Sequence, residues 1–176
     1  MGLYQFEDYI PRVDPTAYIH PEAVLIGNVS IAGNCYIGPG ASIRADWGSI
    51  TIGPGSNIQD RVVIHVKPEH SVVLGANSHI GHGAILHGPS LGFHVFVGMG
   101  AIIMDEAELG DNCCVAAGTL IPGGMKIPAN KLIRGMPGRI VSDVSPKMAA
   151  ELETATKYYQ ALAERCLKGM RRVNIS

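Results

Sequence analysis

Aliphatic residues recur at every sixth position along most of this chain. From Ile19 the series runs through Leu25, Ile31, Ile37 and Ile43, and after a nine-residue step it resumes at Ile52, Ile58 and Ile64. A ten-residue step leads to Leu74, Ile80 and Leu86, and a five-residue step opens the last run, Leu91, Val97, Ile103, Leu109, Val115, Ile121, Ile127 and Ile133. Two residues before most of them stands a small side chain: Ala17, Ala23, Cys35, Ala41, Ser56, Ser78, Ala84, Ala101, Ala107, Cys113 and Thr119. Glycine, asparagine or aspartate fills many of the slots between, as in Gly33-Asn34 and Gly110-Asp111. A period of six fits neither a helix nor a plain alternating strand. It predicts short strands joined by tight turns, three to a triangular coil, with the aliphatic residue inward and the small one near the corner. Coils stacked at the strand spacing of about 4.8 Å make a parallel all-β solenoid. Nineteen marked positions shared among three faces predict about six coils.

The repeat ends before Ser145, which divides the chain into a β-helix domain, 1–144, and a C-terminal segment, 145–176. Ser145 is placed to cap a helix with Pro146 in its first turn. Met148, Leu152, Ala155, Tyr159, Leu162, Cys166 and Met170 then form an apolar stripe at helical spacing. That stripe is expected to pack on the prism or on a neighbouring subunit.

Composition narrows the function classes. The formal net charge is −1 and only 16% of residues are charged, so no basic footprint for nucleic acid exists. No apolar run is long enough to span a membrane, and the opening MGLYQFEDYIPRVD has neither the basic nor the apolar region of a signal peptide. A cytoplasmic protein is expected. Cys35, Cys113, Cys114 and Cys166 form no C-x-x-C pair and read as reduced, buried small residues.

Seven histidines remain, and the repeat decides which can meet. Assigning the marked positions to faces in rotation puts Ile43, Ile64 and Leu86 on one face. The residues that follow them, Arg44, His65 and His87, then form an outward column with neighbours about 4.8 Å apart. Two imidazoles so stacked can share a metal at about 2.0–2.1 Å from each nitrogen. His82 follows Ile80 on the preceding face, and the five residues to His87 reach roughly 16 Å when extended. A single subunit therefore cannot bring His82 to that metal. Three prisms around a threefold axis can, because the corner carrying His82 then abuts the neighbour's column. Each interface of such a homotrimer would hold a three-histidine site with open coordination positions, as catalytic zinc sites have. His20, His70, His79 and His94 lack comparable partners.

At these residues the sequence resembles the gamma-class carbonic anhydrases, and more closely their bacterial relatives from the phenylacetate-degradation and carnitine operons. The resemblance rests on Arg44-Ala45-Asp46, Asn57-Ile58-Gln59-Asp60, His65 and the run GHGAILHG with His82 and His87, and it extends over nearly the whole chain. It implies a left-handed β-helix and a homotrimer. His65 and His87 would bind zinc, iron or cobalt together with His82 of a neighbour, and CO2 would be hydrated reversibly to bicarbonate. It further implies that Gln59 orients the nucleophile or substrate, that Arg44 and Asp60 form an interface ion pair, and that Asp46 and Asn57 lie at the interface or behind the ligands. Tyr159 matches a helix tyrosine near the site.

Two departures from the gamma-class pattern bear on activity. Trp47 stands where the prototype has a glutamate, and the acidic loop after the first histidine is shortened to VKPEHS. Both bear on proton export, which Glu69 or His70 in the short loop is positioned to take over. Three other readings use the same residues: hydrolysis of a coenzyme A thioester at the same metal, a hexapeptide acyltransferase, and a metal-binding scaffold without activity. The three-histidine register counts against the acyltransferase, and Trp47 favours the scaffold.

Overall fold

The computed structural model describes residues 2–173, so Met1 and residues 174–176, at the two ends of the expected ranges, lie outside it. The chain forms a left-handed parallel β-helix followed by one α-helix, Pro146–Gly169. All nineteen marked positions are buried, most of them completely, and each small residue two positions earlier is buried with them. The inward set forms one continuous apolar cluster running the length of the prism.

One face alone shows seven parallel rungs, from Tyr18–Ile19 through Tyr36–Ile37, Asn57–Ile58, His79–Ile80, Phe96–Val97 and Cys114–Val115 to Lys131–Gly135. The solenoid therefore has about seven turns, one more than the spacing predicts. The difference lies in the first turn, where Leu3 pairs with Leu25 and Val13 with Ile31; of that turn the aliphatic series marks only Ile19. The intervening segment Gln5–Pro11 breaks the six-residue spacing and hides this turn from a periodicity count. At the other end Gly138–Asp143 runs antiparallel to Lys131–Gly135 and closes the last exposed edge.

The register breaks have a spatial meaning. The nine- and ten-residue steps insert extra residues, around Trp47 and around Glu69, at one corner of two successive coils. The Glu69 N–H donates to the Trp47 carbonyl at 3.2 Å and the Ser49 N–H to the His70 carbonyl at 3.3 Å, so the two insertions are tied together. Gly48 permits this approach, because a Cβ there would lie 2.2 Å from the His70 carbonyl oxygen. Paired insertions thus raise a rim beside the outward histidines.

The C-terminal helix packs on the prism of its own chain, across Tyr18–Ile19, Tyr36–Ile37 and Asn57–Ile58. Ser145 caps it, its hydroxyl accepting from the Met148 N–H at 3.2 Å. The buried line of the helix is Thr156, Ala163 and Cys166, flanked by half-buried Leu152, Tyr159 and Leu162. The expected stripe is corrected at two points. Met170 is the exposed C-cap, and the polar Thr156 lies in the packed face because its hydroxyl donates to the Leu152 carbonyl at 3.1 Å. All four cysteines are free and buried. Among the described residues no helix is long and apolar enough to cross a membrane.

Candidate metal centre

Strand pairing fixes the outward column. Arg44 is in register with His65, and His65 with His87, on three consecutive coils. His65 Nδ1 and His87 Nε2 face each other at 3.1 Å. The far nitrogen of each ring meets a carboxylate: His65 Nε2 lies 3.0 Å from Asp46 Oδ1, and His87 Nδ1 lies 2.9 Å from Asp105 Oδ1. A carboxylate only accepts, so each ring carries its proton on that far nitrogen. With both rings neutral, two lone pairs are left pointing at each other. They repel unless a cation lies between them, and 3.1 Å is a separation that one ion about 2.0–2.1 Å from each nitrogen spans. The donor set therefore fits a divalent metal that favours imidazole, backed by the carboxylates that such ligands usually have.

Asp46 also bonds Arg44. Burial works to raise the Asp46 pKa, but the hydrogen bonds from Arg44 and His65 outweigh it and hold the carboxyl below its ordinary range. Trp47 follows Asp46 and leans over His65 with ring centroids 5.5 Å apart. Trp47 is 55% exposed, so this flank of the column is apolar and open.

A second cluster occupies a different corner. His82 sits in a turn, its Nδ1 3.1 Å from Asp60 Oδ2 and its Nε2 3.4 Å from the Tyr159 hydroxyl. Burial, then the charge of Asp60, raises the Tyr159 pKa, so the phenol keeps its proton at neutral pH and donates to the free lone pair of Nε2. Within one chain His82 does not join His65 and His87, and among the described residues no group of three ligands gathers in one place. Nor do Arg44 and Asp60 pair within the chain: each is engaged in its own cluster, Arg44 with Asp46 and Asp60 with His82.

The chain is similar to carnitine operon protein CaiE of Escherichia coli (strain K12), with 43% identity over 166 residues, covering 94% of this chain and 85% of that one. It is 42% identical to CaiE of Proteus sp. (strain LE138) over 97% of this chain and 86% of the relative. The chain belongs to the CaiE family. Residues 88–123 of this CaiE-family protein also match the bacterial transferase hexapeptide (six repeats) profile. Two solved structures share its fold over nearly its whole length. A hexapeptide transferase family protein from Anaplasma phagocytophilum is 35% identical with a TM-score of 0.89, covering 92% of this chain and 96% of its own. A Bacillus cereus protein, provisionally designated an acetyltransferase, is 27% identical with a TM-score of 0.94, covering 96% and 98%.

The CaiE-family chain differs from its sequence reading most clearly at Gln59 and His79. Gln59 is buried, and its amide is engaged inward: Nε2 donates to Asn57 Oδ1 at 3.0 Å and to His79 Nε2 at 2.7 Å, while Oε1 accepts from the His82 N–H at 3.2 Å. His79, read from sequence as an ordinary histidine, is the centre of this network. Its Nδ1 lies 3.4 Å from the Thr156 hydroxyl of the helix, and its ring stacks on Phe96 at 4.2 Å. An unbroken set of bonds thus links the helix to the backbone of His82. The sequence signal is partial: Asn57 and His79 are outward neighbours on adjacent rungs, but the repeat does not say that the helix covers them. Asp105 was also missed. Glu69 stands exposed on the rim at φ 63°, and His70 beside it approaches Glu106 at 3.5 Å.

Burial, then the charges of His82 and His94, lowers the His79 pKa to about 4. The unfolded chain protonates this histidine near pH 6.5, so its stabilising contribution is whole above that pH and is lost as the pH falls towards 4. The expected loss from this residue is about 3 kcal/mol. Urea unfolding from pH 7 to 4 checks it: wild type should show an acid slope steeper than His79→Asn by up to one proton.

Proposed function

We propose that this CaiE-family protein is a homotrimer that reversibly hydrates CO2 at a metal site built from His65 and His87 of one subunit and His82 of the next. The observation that carries the reading is the facing pair His65 Nδ1 and His87 Nε2, each backed by a carboxylate, together with a third histidine prepared in the same way at another corner. When bound, zinc, iron or cobalt lowers the pKa of a coordinated water, to about 7 for zinc, and so supplies a nucleophile at neutral pH.

The chain's own groups do the rest. Asp46 and Asp60 hold His65 and His82 with a lone pair outward. Gln59 anchors the turn that carries His82 and acts on the site through it. With His82 as one of the residues that would hold the metal, the Tyr159 hydroxyl, 3.4 Å from its Nε2, would be free to donate to substrate. Arg44 and Asp60 belong to opposite half-sites, so joining two subunits brings together their opposite charges and adds an ion pair across the interface. Asn57 supports Gln59 from within.

The trimer is supported by an unpartnered apolar ladder on the face of the histidine column. Val24, Val63, Ile85, Ile102 and Leu120, interrupted by Ser42, stack outward in register, with Val63 39% and Ile85 41% exposed. A second prism laid on that face covers the ladder and presents its His82 corner to the column.

Glu69 is proposed to export the proton, because it stands on the rim beside Trp47 with no ion pair among the described residues. In stopped-flow hydration Glu69→Ala is expected to be slower in weak buffer and to recover in strong buffer. Slowing without recovery would remove Glu69 from this role and leave His70 as the candidate.

A second reading is favoured by the half-exposed Trp47 and by the provisional acetyltransferase designation of the Bacillus cereus relative: attack on an acyl thioester at the same site. Hydrolysis of short acyl-CoA thioesters by protein that hydrates no CO2 distinguishes the two.

A further inference from the structure

We infer that Asp105 is the positioning residue that decides which nitrogen of His87 faces the metal, and that the chain reserves Gly88 to let it reach the ring. The inference rests on the metal-site reading above and deepens it.

Asp105 comes from the coil after His87, 18 residues later, just past strand Ile102–Ile103. It and Gly88 stand at the same place on successive coils, each two residues beyond an inward side chain, Ile103 and Leu86. A carboxylate there would ordinarily point to solvent. Instead it folds back over Gly88 and accepts from His87 Nδ1 at 2.9 Å. A Cβ at position 88 would lie 2.5 Å from Asp105 Oδ1 and 3.3 Å from its Cα, so no other residue leaves the carboxylate where it is. Gly88 also has φ +75°, a conformation that side chains rarely adopt. The Glu106 N–H donates to the Gly88 carbonyl at 3.0 Å, which fixes the Asp105 turn against this glycine.

The consequence is chemical. A free neutral imidazole chooses between two tautomers, and with the proton on Nε2 His87 would present an N–H rather than a lone pair to His65. Asp105 removes that choice by accepting from Nδ1, and its charge makes the opposite nitrogen a better donor to a cation. Asp46 does the mirror-image task on His65, holding Nε2–H so that Nδ1 faces the gap. Two rings of opposite tautomer are thereby turned toward one point by two aspartates from different coils.

The test uses the full-length protein, stripped and reloaded with Zn2+ or Co2+, as wild type, Asp105→Ala, Asp105→Asn and His87→Ala. Zn2+ affinity is read by competition with a chromophoric chelator, and ligand geometry by the visible absorption of Co2+. Asp105→Ala is expected to weaken Zn2+ binding about 10–100-fold and to shift the Co2+ bands. Asp105→Asn, which keeps an oxygen acceptor for Nδ1–H, should fall between it and wild type. Melting of the metal-free wild type, Asp105→Ala and Asp105→Asn should be the same, since the Asp105 side chain is 29% exposed and lies outside the apolar core. Unchanged affinity and spectrum in Asp105→Ala, with loss of metal in His87→Ala, would overturn the role of Asp105. So would a fall in metal-free melting that accounts for the weaker binding. Wild type that takes up neither metal would overturn the metal reading beneath it.

Discussion

Replacing His82 with alanine is expected to leave the fold intact and to empty the metal site. The side chain stands in a turn, 44% exposed, with Asp60 and Tyr159 as its polar partners, and it is not part of the apolar core. Loss of a residue behind a metal ligand typically costs 10–100-fold in affinity, and loss of a ligand costs more, so His82→Ala should bind Zn2+ at least about 100-fold more weakly and lose CO2 hydration with it. Metal content after dialysis and stopped-flow hydration check this together, with unchanged thermal unfolding of the metal-free protein as the control. Because the carboxylates hold the other two histidines independently of His82, their tautomers should survive the change. A variant that keeps both metal and turnover would show that His82 is not a ligand.

The second large effect lies in the core. Leu86 is completely buried midway along the prism, stacked between Ile64 and Ile103, and His87 follows it directly. Leu86→Ala is expected to cost about 2–5 kcal/mol in urea unfolding at fixed protein concentration. The upper part of that range is favoured physically. Each coil is tied to its neighbours by ladder hydrogen bonds on three sides, so the walls of the cavity cannot collapse into it. The same truncation at the open end should be far milder: Leu3 is 40% exposed, and Leu3→Ala should cost no more than about 1 kcal/mol. Equal losses at the two positions would contradict a stack stabilised by its central rungs.

How much of this could be read from sequence follows from what a solenoid requires. Every coil needs one large inward side chain per face, so the aliphatic series displayed the fold almost directly, and the rotation of faces placed Arg44, His65 and His87 in one column. The first turn was hidden because Leu3 and Val13 are separated by an insertion that ignores the period. The closing hairpin at Gly138–Asp143 was hidden because antiparallel pairing at the end obeys no repeat. The facing pair His65 and His87 was legible in the repeat, but the carboxylates behind them were less so. His87 and Asp105 are 18 residues apart, and His65 and Asp46 are 19 apart, close to one coil length. Counting by one coil rather than by six would have found Asp105. Gln59 and His79 needed more than counting. Whether an outward polar residue meets solvent or the helix depends on where Pro146–Gly169 lies, and the repeat says nothing about that.

The question underlying all of this is whether the two half-sites of one chain function only in different chains. Mixing chains answers it. His65→Ala retains the His82 corner, and His82→Ala retains the His65–His87 column, so each variant alone should bind little metal and hydrate no CO2. Unfolded together in equal amounts and refolded, they should form the proposed trimers, in which about one interface in four would join an intact His82 to an intact column. Recovery of about a quarter of wild-type metal and hydration is the expected result. A mixture as empty and inactive as its parts, although it assembles into trimers, would contradict a site shared between subunits.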